Sequence, residues 1–298
     1  MNAFIDWVLA QRVRPILLAV VAAPLLQPVA AALIALETTR RDFAGGVICG
    51  LGTLAGLLAI AWLSGADMGL FATIGVVCAI SGVGIGLLIR SAGNLVLAYQ
   101  AAVLVAMVLV AAIWILDLDV DSFFDPAVSE LVALLKSNEM PPEDVTLIEE
   151  RGAAVVLAAA VFWQLVGTLL ISYWWFSLAT RQRRFGQEFR KLALGHVLGA
   201  IATVLVVLAL AFDFELVQNL APLALLGFVL QGVSVVHAWA HARHWPPGLV
   251  VPLYVLLLVP ALNVLVVLPL SVVGVVDNWF DLRALIRSRR EMRVRRWK

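Results

Sequence analysis

Residues 248–276 read GLVVPLYVLLLVPALNVLVVLPLSVVGVV and run straight into Asp277-Asn278-Trp279-Phe280-Asp281-Leu282-Arg283. About twenty apolar residues suffice for one helical crossing of a bilayer. This run is longer than that, and Pro252, Pro260 and Pro269 each remove a helix donor within it. The pattern predicts a broken helical pair that dips into the membrane and returns. Whether it crosses or returns decides the side on which every loop lies.

The rest of the chain is of one kind. Apolar residues make up 63% of the 298 and charged residues only 14%, a balance that excludes a water-soluble globule. A transmembrane barrel would show short alternating segments, whereas the apolar runs here are continuous and of helix-spanning length. The expected fold is all-α: a polytopic helical membrane protein forming one integral membrane domain over residues 1–298, with six ordinary spans and two Pro-broken terminal runs. Cys49 and Cys78 both sit in apolar runs, so they read as small packing residues and not as a disulfide or metal framework.

The first run, Pro15 to Ala35, mirrors the last in carrying Pro15, Pro24 and Pro28. Interrupted membrane helices are tolerated where protein or a wet cavity satisfies the released backbone groups, and in transporters paired interruptions mark binding sites. Between the two broken runs lie six spans at roughly 44–62, 68–89, 93–116, 153–178, 193–212 and 220–239. Glycines four apart, such as Gly46 with Gly50 and Gly82 with Gly86, predict close helix packing.

Residues 117–150 hold ten of the twenty acidic residues and form the only sizeable loop. Asp125-Pro126 and Pro141-Pro142 each have the form of a helix start, so two short helices are expected there. Eight of the twenty-one lysines and arginines lie from Arg283 onward. With Leu282, Leu285, Ile286 and Trp297 among them, residues 279–298 read as a basic amphipathic tail against anionic lipid.

Charge sets the sidedness. If every apolar run crosses once, the cations divide nine against twelve; if both terminal runs return, nineteen of the twenty-one fall on one side and only Lys136 and Arg151 on the other. The second arrangement satisfies the positive-inside rule. It places the acidic loop 117–150 outside the cytoplasm and the basic loop and C-terminus within it.

Polar groups inside apolar helices are the default candidates for function. The binding candidates are Gln164, Gln231 and Asn263, with Asp277, Asp281 and Arg283 at the end of the last run, where Asp277 and Asp281 stand four apart and Arg283 can fold back over them. His237, His241 and His244 share a helical spacing, yet no carboxylate or cysteine stands beside them in sequence, and they read as interfacial imidazoles. No catalytic motif for an enzyme appears: Gly274-Val275-Val276-Asp277 lacks the second glycine of an intramembrane aspartyl protease, and neither His-Glu-x-x-His nor a phosphate-binding glycine loop occurs. No catalytic residue, metal or cofactor is assigned.

Three stretches carry a resemblance: Tyr173-Trp174-Trp175 through Arg190, Leu230-Gln231-Gly232 through Tyr254, and above all Gly274-Val275-Val276-Asp277-Asn278-Trp279-Phe280-Asp281-Leu282-Arg283. With them the whole chain resembles the YybS-like family of bacterial membrane proteins. That family is distantly similar to the S components of energy-coupling-factor transporters and to the cell-shape protein MreD. The resemblance implies a glycine-rich helical core and two alternative roles. One is a transporter-like subunit binding a small solute or lipid, with coupling and ATPase subunits as partners. The other is a scaffold recruiting cell-envelope or division proteins. The bilayer is a partner in either, and neither needs a specific nucleic acid.

Overall fold

The computed structural model describes residues 2–118, 121–137, 142–182, 184–258 and 260–284. In chain order the helices are α1 Asn2–Leu9, α2 Val13–Ala22, α3 Gln27–Arg40, α4 Phe43–Ser64, α5 Met68–Ala92, α6 Leu95–Ile115, α7 Asp121–Ser137, α8 Pro142–Phe162, α9 Thr168–Ala179, α10 Phe185–Phe189, α11 Gly195–Ala211, α12 Glu215–Ala242, α13 Val251–Leu258 and α14 Pro260–Phe280. No strand occurs among the described residues. Five helices are long and apolar enough to cross a membrane: Phe43–Ser64, Met68–Ala92, Leu95–Ile115, Gly152–Ala179 and Glu215–Ala242. The sixth expected span is the 17-residue α11. It starts only at Gly195, whose φ of 75° no preceding helix could continue through, and ends where Phe212 turns extended.

The chain divides into two compact units, Met1–Ala102 with Trp163–Leu192, and Val103–Phe162 with Ala193–Lys298. In the first, the prolines of the opening run fall where they cost least. Pro15 and Pro28 lie in the first turns of α2 and α3, where the missing N–H has no partner in any case, and Pro24 lies in the connection between them. Gly52 packs against Ile16 and Gly56 against Val20, so α2 advances alongside α4; Gly46 packs against Thr38 and Gly50 against Ile34, so α3 runs the opposite way. The opening run therefore turns back on itself. Its end meets its beginning, with Arg41 donating through Nη2 to the Leu9 carbonyl at 3.0 Å. The core of this unit joins Val8, Ala19, Ala30, Ile34, Cys49, Leu57 and Cys78.

α9 continues α8 through a π-helical turn at Trp163–Gly167, so the expected short helix at Pro142 and the span beyond it are one unbroken helical stretch. The expected break near residue 151 does not occur. In the second unit α7 starts at Asp121, four residues before the expected Asp125, and packs on α8 through Val128, Val132 and Val145.

The last run is helical over Val251–Leu258 and Pro260–Phe280, and Val259 between them lies outside the described residues. Pro252 and Pro260 stand in the first turns of α13 and α14, while Pro269 is taken up inside α14. The expected break of this run at Pro260 falls beside Val259 and so at the edge of the described residues. Gly232 lies on the carbonyl of Leu270 and Gly274 on the carbonyl of Phe228, which sets α14 antiparallel to α12 along a reciprocal glycine seam. The tail from residue 285 onward lies outside the described residues.

Candidate functional site

The end of α14 builds a buried polar network in the second unit. At Asp281 the backbone turns left-handed, with φ of 42°, a conformation that short polar side chains tolerate better than most. Asp281 Oδ1 then accepts from the Ala284 amide at 3.1 Å. This reversal carries Arg283 back over the helix end, where its Nε donates to Asp277 Oδ1 at 3.1 Å and its Nη2 to Asp277 Oδ2 at 2.5 Å. The Asp277 side chain is fully buried and that of Arg283 is 15% exposed. Two parallel charge-assisted bonds are the strongest form such a pair takes.

Gln231 joins the network from α12. Its Nε2 donates to Asp277 Oδ2 at 2.8 Å, and its Oε1 accepts from the Leu194 amide at 3.0 Å. Leu194 caps α11 and has no side-chain acceptor of its own. Gln231 therefore satisfies a helix-start amide that would otherwise be buried and unmade. Asn278 completes the arrangement by donating to the Gly195 carbonyl at 3.2 Å while lying flat against Gly199. Its Oδ1 is buried with no hydrogen-bond partner among the described residues.

The sequence candidates thus separate. Asp277, Arg283 and Gln231 form one network; Asp281 is exposed and serves as the turn that makes the network possible. Gln164 belongs to the first unit, in the π turn, where its Nε2 donates to Ser81 Oγ at 2.7 Å. Asn263 stands on α14, but its side chain lies outside the described residues. The histidine row does not persist, because α12 ends at Ala242 and His244 is left-handed with φ of 54°, while His237 is bonded to the Tyr254 hydroxyl at 2.5 Å.

One buried group went unremarked as a pair in the sequence. Glu37, near the end of α3, is 2% exposed and binds Arg41 Nε through Oε2 at 2.7 Å; its Oε1 is buried without a hydrogen-bond partner among the described residues. The i, i+4 spacing of Glu37 and Arg41 was the signal that could have found it. Each unit thus carries a buried carboxylate at the end of a Pro-broken run, closed by an arginine one to two turns later. Against protein-family models, curated proteins and solved structures alike, the chain has no match.

Proposed function

We propose that the chain is a transporter-like subunit of a bacterial inner membrane, in the manner of an S component, which binds a small solute or lipid beside its broken helices. The observation that carries this reading is Glu37. A returning helix pair buries a carboxylate near its end, fixes one oxygen on Arg41 and leaves the other without a hydrogen-bond partner among the described residues. An ionisable group buried within apolar helices is costly and points to a ligand or pathway. Coupling and ATPase subunits are the partners this role requires.

The finer topology belongs to the same proposal: six spans, with α2–α3 as a return and the C-terminal tail on the side of the basic loop. Single cysteines at positions 42, 119 and 298, in a chain whose Cys49 and Cys78 are replaced by alanine, test it by sided labelling. Positions 42 and 298 are expected to react from the cytoplasm and 119 from outside. Opposite sidedness of 42 and 298 would refute the arrangement.

Native mass spectrometry on protein released gently from its own membrane tests the function. A stoichiometric small ligand is expected on the wild type and a loss of at least about tenfold in its occupancy in Glu37→Gln, which keeps an acceptor for Arg41 but removes the charge. A second reading is favoured by the network around Asp277, whose carboxylate is closed by Arg283 and Gln231. In it the protein is an MreD-like scaffold that presents the acidic loop 117–150 and the tail 279–298 to envelope or division proteins. A spectrum with such proteins retained and no small ligand, unchanged in Glu37→Gln, selects that reading.

A further inference from the structure

The end of α12 carries a cluster that neither broken run explains. The helix stops at Ala242, and His244, in the left-handed region with φ of 54°, closes it: the Trp245 amide donates back to the Ala240 carbonyl at 2.9 Å. This six-to-one closure ordinarily places glycine at the left-handed position. Its effect is to fold Trp245 back beside the last turn. Arg243 then lies over two indoles, with its Cζ 5.9 Å from the Trp239 ring and 5.8 Å from the Trp245 ring.

A guanidinium held against aromatic faces keeps its N–H groups in its own plane, directed away from the rings. Among the described residues no hydrogen bond or ion pair engages the Arg243 side chain, and the residue is exposed. Trp239, Trp245 and Tyr254 are likewise part-exposed, at 37%, 39% and 42%. Trp239 in the last turn of α12, Trp245 just beyond it and Tyr254 on α13 cluster at the end of a helix long and apolar enough to cross a membrane, the level at which tryptophan and tyrosine meet headgroups. A planar donor fork with no protein acceptor, at headgroup depth, matches two oxygens of a phosphate.

We propose that Arg243, held by Trp239 and Trp245, is a binding site for the phosphate of an anionic phospholipid. The site is independent of whether the core carries a solute. It fixes one lipid at the end of α12, beside the His237–Tyr254 bond that ties this end to α13.

The test uses the full chain in detergent micelles, stripped of lipid and titrated with dioctanoyl phosphatidylglycerol, with native mass spectrometry counting the lipid retained. The wild type is expected to hold one phosphatidylglycerol that Arg243→Ala loses, with at least about a tenfold weaker affinity. Arg243→Lys is expected to resemble the alanine variant, because an ammonium cannot offer two parallel donors. Arg184→Ala removes an equal charge elsewhere and should leave retention unchanged. Equal retention in Arg243→Ala, or equal loss in Arg184→Ala, overturns the site. Displacement of the lipid by millimolar inorganic phosphate overturns the lipid assignment, leaving a site for the free ion.

Discussion

Asp277→Ala is expected to destabilise the protein by about 3–5 kcal/mol, the range for removing one partner of a buried ion pair. The loss has two parts. Arg283, 15% exposed, keeps a charge with its bidentate acceptor gone, and Gln231 keeps a buried amide donor whose acceptor was Asp277 Oδ2. Removing both charges in Asp277→Ala/Arg283→Ala should recover part of the stability, to a loss of about 1–3 kcal/mol, because only the Gln231 donor then remains unmet. Reversible unfolding of the full chain in mixed micelles, read as a double-mutant cycle, measures the coupling. Additive losses would show that Asp277 and Arg283 do not act as a pair.

The second large effect is expected at the seam between α12 and α14. A methyl on Gly232 would strike the backbone carbonyl of Leu270, and one on Gly274 that of Phe228. Backbone cannot swing aside as a side chain can, so the helices must part. Gly232→Ala and Gly274→Ala are each expected to cost about 1–3 kcal/mol, at the upper end of overpacking penalties. Parting the helices also stretches the Gln231–Asp277 bond, so either change should weaken the coupling measured in the Asp277 cycle. Gly84→Ala is the control, since nothing lies within 4 Å of a methyl there. It should be neutral or stabilise by up to about 1 kcal/mol through helix propensity. Equal losses at Gly84 and Gly232 would remove the seam from the argument.

Much of this was legible in the sequence, for reasons that can be named. Long uninterrupted apolar runs fixed α4, α5 and α6 nearly to the residue, because nothing else in a bilayer can satisfy the backbone. The prolines marked the break at Pro24, and charge asymmetry pointed to the return of the opening run before any geometry did. What stayed hidden depends on the third dimension. The fold-back of Arg283 over Asp277, six residues away, was local enough to read, but no local pattern links Leu194 and Gln231 to Asp277; these lie far apart in the chain and meet only once α11, α12 and α14 pack. Asp281 looked like a second carboxylate of the site because four-residue spacing assumes that the helix continues; it ends at Phe280. The short helix expected at Pro142 and the span expected from residue 153 looked separate in the sequence, yet α8 runs from one into the other without interruption.

The contact of Arg41 with Leu9 has a meaning for biogenesis. It joins positions 32 residues apart, so the opening pair can close as soon as α3 has left the ribosome, before α4 and the later spans have emerged. Local closures of this kind form early. On emerging, α4 would then meet a pair already turned round, with Gly52 and Gly56 placed to receive Ile16 and Val20. The turn between α2 and α3 is in this sense held by a contact internal to the pair, whatever later packs against it.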